Sequence, residues 1–315
     1  MTTQMGFFRN KVHTLSAFRH GGISTSFGGL VTADSASRLR IGIVIDQLAS
    51  AGTELQTTLL ASELSHAGHA VSLLVLGQAT SAPQSRPELE ANGVRTSFLE
   101  LNGSVFDLFR ARSQVASWAN TGRFDVIYAL MSRASTVCGS LVGVRAWPPT
   151  VMSRRSLVDA GRDSRVAALV RRSAIRRANA IVANSTAVAV DSSILEGVGI
   201  DRYVVIPNML PEAAFEVVGP AIVETDKPVV VSVANLREPK DHRNLLNALA
   251  DLKQSGQEVT AVLVGDGPLR QQIDRHARDL DIDVHLGGSV DDPRPYLAAA
   301  DVFVQSSQTE GSSNS

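Results

Sequence analysis

The sequence predicts an α/β protein made of two tandem parallel-sheet domains. Three observations predict it. Short β-branched runs alternate with stretches of helical spacing from Arg38 to Ser307, and βαβ crossovers of this kind make parallel sheets. Within the runs apolar residues stand at consecutive positions, as in strands buried on both faces. Residues 209–226 interrupt the series with Pro211, Pro220 and little periodicity, which marks a linker between two series.

The elements follow in order. RLRIGIVIDQL (Arg38–Leu48) is the first strand. Gly52 permits a tight turn, and the next residues place Leu55, Leu59, Leu60 and Leu64 on one side of a helix. Gly68 ends that helix, and AVSLLVLG (Ala70–Gly77) is a second strand. VRTSFLEL (Val94–Leu101) reads as a strand and FDLFRARSQVASWANT (Phe106–Thr121) as a helix. FDVIYAL (Phe124–Leu130), PTVMSRR (Pro149–Arg155), AIVAN (Ala180–Asn184) and YVVIPN (Tyr203–Asn208) complete a first open sheet. The second series opens with KPVVVSVANL (Lys227–Leu236), and a helix follows with Leu245, Leu246, Leu249 and Leu252 on one face. EVTAVLVGDGP (Glu258–Pro268) is a strand ending in a glycine turn; LRQQIDRHARDL is a helix, DVHLGGSV a strand and PYLAAAD a short helix. DVFVQSS (Asp301–Ser307) is the last strand. The division expected is an N-terminal extension over 1–37, a first domain over 38–215 and a second over 216–315.

Composition narrows the function classes. Hydrophobic residues make up 44% and charged residues 19% of 315, as in a soluble globular protein of two domains. The net charge of −1 supplies no global field for nucleic acid. Cys138 is the single cysteine, so neither an internal disulfide nor a thiolate zinc site is available. No apolar run approaches the length of a membrane span, and the expected compartment is the cytoplasm. Residues 1–33 carry Arg9, Lys11 and Arg19 and no acidic residue. That loosely resembles a transit peptide; the reading preferred is a disordered extension.

Five segments of the second half, SVANLREPKDHRNLLNALADL, AVLVGDGPL, VHLGGSVDD, YLAAADVFVQSS and TEGSSNS, stand in one order and spacing. Together they resemble the retaining GT-B glycosyltransferases of the glycosyltransferase 4 family. In the first half IDQLASAGTE, ANAIVANSTAV and VVIPN are similar to segments of the same family. The resemblance covers about residues 39–315. It implies two Rossmann-like domains facing a cleft. The second would hold a nucleotide-sugar donor and the first a glycan or lipid-linked acceptor. It further implies transfer of a hexose with retention, without a metal or other cofactor.

The resemblance also implies roles. Negative charge building on the departing phosphate must be stabilised. Lys240 aligns with the family lysine that contacts the diphosphate. The family's usual arginine falls at Asn235, and Arg237, two positions on, is a substitute. Gly265 and Gly267 let backbone approach a ligand, while Ser289 and Val290 belong to the segment lining the nucleobase. Glu310 matches the first glutamate of a paired motif and would contact the donor sugar. Gly311, Ser312, Ser313 and Asn314 match the loop whose N–H groups meet the phosphates, at a helix start suited to anions. The second glutamate falls eight residues after Glu310, past Ser315, so the expectation is a chain cut inside this motif.

In the first half Gly52 and Thr53 offer backbone and donors to an acceptor anion, and Glu54 either faces the cleft or caps the helix. Where the family often has a histidine after its fourth strand, this chain reads IYALMSRAS. Residues 151–178 hold eight arginines: Arg154, Arg155, Arg162, Arg165, Arg171, Arg172, Arg176 and Arg177. They read as a solvated face or as peripheral contact with anionic lipid of the inner membrane leaflet. Arg154 and Arg155, at a strand end, would instead reach an acceptor phosphate. Two other readings stand beside the transferase: an inactive fragment retaining only acceptor-side binding, and a nucleotide-sugar epimerase on the same fold. A dehydrogenase fits least, because G-x-G-x-x-G is missing after the first strand.

Overall fold

A computed structural model describes residues 38–48, 52–78, 85–101, 105–156 and 165–315. The extension over 1–37 therefore lies outside the described residues, as do Asp159, Arg162 and Asp163. Residues Arg38–Ser315 form one compact unit that contains two sheets.

The first sheet has seven strands: β1 (Arg40–Ile45), β2 (Ala70–Val75), β3 (Arg95–Phe98), β4 (Val126–Leu130), β5 (Thr150–Arg154), β6 (Ala180–Ala183) and β7 (Tyr203–Val205). All pair in parallel in the order β3-β2-β1-β4-β5-β6-β7. Ile43 stands in register with Leu73 on one side and Tyr128 on the other. Alternation then divides the core. Ile41, Ile43, Ile45, Leu73 and Val75 pack on one face with Ala61 and Leu89. Val44, Leu74, Ile127 and Met152 pack on the other with Val115, Cys138, Ile175 and Val188. Those last four lie on α3 (Val105–Gly122), α4 (Ser132–Leu141), α5 (Arg165–Arg177) and α6 (Thr186–Glu196), while Ala61 and Leu89 lie on α1 (Gly52–His66) and α2 (Ser85–Ala91).

α1 corrects the leucine stripe. Leu55 is exposed, and the buried face is Glu54, Gln56, Thr57, Thr58, Ala61 and Ser62. The polar groups of that face find partners inside. Thr57 and Thr58 donate to the carbonyls of Thr53 and Glu54, Gln47 donates to Glu54, and Asn92 donates to Ser62. Satisfied polar groups can be buried at little cost, so apolar spacing alone marked only part of the buried face: Leu64 packs on the core and Leu55 does not.

The second sheet has four parallel strands in the order β10-β9-β8-β11: β8 (Val229–Val233), β9 (Thr260–Val264), β10 (Asp283–Gly288) and β11 (Val302–Phe303). α7 (His242–Gln254) and α8 (Arg270–Asp279) cover one face, where Leu245, Leu246, Leu249 and Ile273 meet Val230, Ala261 and Leu263. α9 (Arg294–Ala298) covers the other, where Tyr296 and Leu297 pack on Val229, Val231 and Val262. Residues 209–226 hold no strand or α-helix, only a 3₁₀ turn at Glu212–Phe215. No helix among the described residues is long and apolar enough to cross a membrane.

Candidate active site

In each sheet the first strand lies between its second and fourth, so the strand order reverses there. Open parallel sheets bind ligands beyond the carboxyl ends of such strands.

At the first reversal, β1 ends in Asp46, which is 7% exposed. Its carboxylate accepts from the backbone N–H groups of Arg133 (3.0 Å) and Ala134 (2.6 Å) in the first turn of α4. Met131, which precedes α4, has φ 70°, a conformation uncommon for a side chain of this size. Burial holds the Asp46 carboxyl above the usual carboxylate range, against the pull of the two N–H bonds and Arg133.

Arg154 and Arg155 at the end of β5 part company. Arg154 turns inward and pairs with the fully buried Glu196 at 2.9 Å. Tyr203 donates to the same carboxylate at 3.1 Å, and Arg171 lies 3.8 Å from it. Burial, then the Glu196 charge, pushes the Tyr203 phenol up. The acceptor-phosphate expectation for Arg154 is thus corrected: a buried carboxylate already holds its guanidinium. Arg155 turns toward the strand ends and donates through Nη2 to Gln56 (3.1 Å) and Asn208 (2.7 Å). Burial holds its guanidinium below the ordinary value, opposed by the Tyr128 phenol.

The rest of the arginine cluster is divided. Arg172 donates to the Leu195 carbonyl at 2.7 Å, whereas Arg176 and Arg177 are exposed at the end of α5. Leu169 and Val170 are also exposed on α5.

At the second reversal, β8 runs through Ala234–Arg237 into a 3₁₀ turn, Glu238–Lys240. The Lys240 ammonium donates to Glu310, in the segment after β11, and the two side chains are 26% and 30% exposed. Three bonds fix that segment on the turn: Gln308 N–H to Pro239 O (3.0 Å), Gln308 Nε2 to Asp241 (3.0 Å) and Ser306 Oγ to Lys240 O (2.9 Å). Arg237 is exposed, with no ion-pair partner among the described residues. His242 is a buried residue the sequence reading passed over. Burial and then the Lys240 charge hold its imidazole below the ordinary value, and its Nδ1 has no partner among the described residues.

Gly265 and Gly267 serve the fold in a way the sequence reading did not foresee. Gly265 has φ +135°, and a Cβ there would meet the Ala234 carbonyl oxygen at 2.1 Å. A Cβ on Gly267 would meet the Leu236 oxygen at 2.4 Å. The close approach is therefore to the protein's own Ala234–Leu236 loop, tied there by Ala234 N–H to Val264 O and Leu236 N–H to Asp266 O. These glycines set where Lys240 stands. Ser289 is exposed, and Val290 packs with the α9 face of the core.

Gly311 backs onto the first half. A Cβ there would meet the Arg155 carbonyl at 2.6 Å and Asn184 Oδ1 at 2.9 Å. The Ser312 carbonyl accepts from Asn208 (2.9 Å), and Asn314 accepts from Asn208 (2.6 Å) and Gln56 (3.3 Å) and donates to the Gly52 carbonyl (3.3 Å). Ser313 accepts from Ser315 N–H. The N–H groups of Gly311, Ser312, Ser313 and Asn314 have no acceptor among the described residues. Gly52 opens α1, and Thr53 lies in the same first turn. Glu54 is buried and accepts from Gln47 at 3.3 Å. The structure thus gathers Gly52, Arg155, Lys240, Glu310 and the 311–314 loop. It leaves Arg154 apart and brings in Gln56, Asn184 and Asn208, whose amides no local pattern marks. Among the described residues no group of three or more His, Cys, Asp or Glu side chains is placed to hold a metal.

Two facing parallel sheets with charged groups at their strand ends are the GT-B architecture. The chain belongs to the glycosyl transferase 4-like family, whose domain model matches residues 51–209. Residues 227–315 match the model described as glycosyl transferases group 1. The chain is 41% identical over 87 residues to the lipopolysaccharide core biosynthesis glycosyltransferase LpsE of Rhizobium meliloti, a match covering 27% of this chain and 24% of that protein. It is 31% identical over 90 residues to the GDP-mannose-dependent α-(1-6)-phosphatidylinositol monomannoside mannosyltransferase of Mycolicibacterium smegmatis, again 27% of this chain and 24% of the relative. The chain thus aligns with about a quarter of the length of these curated relatives. Among solved structures, Anabaena HepE in complex with UDP superposes with a TM-score of 0.67 at 20% identity, covering 85% of this chain and 74% of that one.

Proposed function

We propose that the protein is a retaining glycosyltransferase. It would move a hexose from a nucleotide-sugar to a glycan or lipid-linked acceptor in cell-surface glycan synthesis. The observation that carries this reading is the Lys240–Glu310 pair at the reversal of the second sheet, beside the four unpaired N–H groups of the 311–314 loop. A partly exposed cation and free N–H donors offer what a departing diphosphate needs as its charge grows.

In this reading Lys240 leaves Glu310 for the diphosphate, and Glu310 turns to the hydroxyls of the donor sugar. Arg237 approaches the phosphates from the exposed side. The bond between the anomeric carbon and the phosphate oxygen breaks, and the acceptor oxygen bonds to the same face of that carbon. The acceptor proton goes to the departing phosphate, so no enzyme nucleophile takes part. The charge is met by Lys240, Arg237 and backbone N–H groups, without a metal. Gly52, Thr53 and Arg155 face the acceptor. Two matches support the choice of donor class: UDP is bound in HepE, and the mycobacterial relative is named for GDP-mannose. A lipid-linked acceptor would bring Arg176, Arg177, Leu169 and Val170 of α5 to the membrane surface.

The test is turnover of UDP-glucose and GDP-mannose with wild type and Lys240→Ala. The variant should lose at least about 100-fold in kcat while its thermal unfolding stays at the wild-type temperature. Unchanged turnover sinks the phosphate role. NMR of the product's anomeric configuration decides retention, activity in EDTA decides metal independence, and conversion of the sugar without any acceptor would favour an epimerase.

A further inference from the structure

Gln56 lies on the buried face of α1 and is 2% exposed. Its amide engages both backbone groups of one residue: Nε2 donates to the Met209 carbonyl at 2.8 Å, and Oε1 accepts from the Met209 N–H at 2.7 Å. Oε1 also accepts from Arg155 Nη2 at 3.1 Å, and Nε2 donates to Asn314 Oδ1 at 3.3 Å. Asn208, one residue before Met209, repeats the arrangement. Its Oδ1 accepts from Arg155 at 2.7 Å, and its Nδ2 donates to Asn314 at 2.6 Å and to the Ser312 carbonyl at 2.9 Å. The oxygen end of each amide thus holds the arginine at the end of β5. The nitrogen end holds the loop that follows Glu310. Among neutral side chains only Asn and Gln combine two donors with a carbonyl acceptor in one rigid plane. In a buried setting an unmade bond costs the full desolvation of the group.

We infer that Gln56, seconded by Asn208, is a positioning residue of the transfer site. It holds Arg155 and the Ser312–Asn314 loop in one register, and so sets acceptor and donor at the separation at which transfer occurs. It touches no reacting atom. The inference rests on the transferase reading for its consequence in turnover. Its geometry is testable without that reading.

The experiment compares wild type, Gln56→Leu and Gln56→Glu, with UDP-glucose or GDP-mannose, whichever the wild type turns over. Gln56→Leu removes all four bonds. Gln56→Glu keeps the acceptor bonds to Met209 N–H and Arg155 and removes the donor bonds to the Met209 carbonyl and Asn314. Both should lower kcat by at least about tenfold, as misplacement of reacting groups does, with a smaller rise in donor KM, because the 311–314 loop loosens while Lys240 and Glu310 are untouched. The backbone NMR order parameters of residues 311–315 should fall in both variants, with those of β8 and α7 as in wild type. An unchanged kcat overturns the inference, and so do order parameters that fall equally in β8 and α7, the mark of general loosening. If wild type turns over neither donor, the transferase reading fails by itself. The order parameters of 311–315 then decide alone: unchanged values show that Gln56 does not hold the loop, and a fall confined to it shows that it does.

Discussion

The two sheets reverse their strand order at equivalent places, and the ends differ in what occupies them. At the first, the Asp46 carboxylate is buried and spends both oxygens on the first turn of α4. A helix start attracts an anion, and here the fold supplies its own. At the second, Lys240 and Glu310 are partly exposed and paired with each other, and exposed pairs hold together by little. The same topology therefore gives one end that is part of the scaffold and one whose charges can be handed to a ligand. Topology nominates a site; burial decides whether it is already filled.

The largest expected effect breaks the second end through its scaffold. Gly265→Ala puts a Cβ 2.1 Å from the Ala234 oxygen at φ +135°. Strain and overpacking together should cost about 2–4 kcal/mol in urea unfolding. They should also displace the loop that carries Lys240, so that nucleotide affinity falls with stability. Lys240→Ala, by contrast, lowers function alone, and the pair of variants separates support from chemistry.

A smaller effect breaks the first end. Asp46→Ala leaves the N–H groups of Arg133 and Ala134 without their acceptor, and loss of such a cap costs about 1–2 kcal/mol. Urea unfolding measures it. A stability unchanged within error would mean that water replaces the carboxylate, and that this end, too, is open to ligands.

These contrasts also explain what the sequence could tell. Strands such as RIGIVI were legible because burial on both faces writes an unbroken apolar run, and every strand among the described residues falls within a run read as one. Lys240 and Glu310 were legible through motif spacing, and the structure brings their side chains together across 70 residues of chain. Gly265 and Gly267 were legible as special but not for their reason, since the backbone they approach lies some thirty residues earlier. Arg154 and Arg155 are neighbours in sequence with opposite fates, because successive strand residues face opposite sides. Gln56 left no signal at all: its partners stand 153 and 258 residues away, and a lone glutamine in a helix carries no period. Fold follows from local pattern. The polar register of the site is non-local, and only the folded chain displays it.

The smallest effect sharpens the comparison at the first end, by asking which force governs Asp46. Burial raises its folded-state pKa above 3.8. Between the ordinary and the raised value the folded state binds more protons than the unfolded one, so stability falls as pH rises through that window. Asp46→Asn keeps the shape and removes the titration. Carboxylates whose pKa is lowered, Asp125, Asp281 and Asp292, are common to both proteins and cancel in the difference. Wild type minus variant, from urea unfolding at several pH values, should therefore be largest on the acid side and shrink as pH climbs. If the difference grows with pH instead, the start of α4 stabilises the ionised carboxylate by more than burial penalises it. The first end would then be an anion site that the protein has filled for itself, and the distinction between the two ends would rest on occupancy alone.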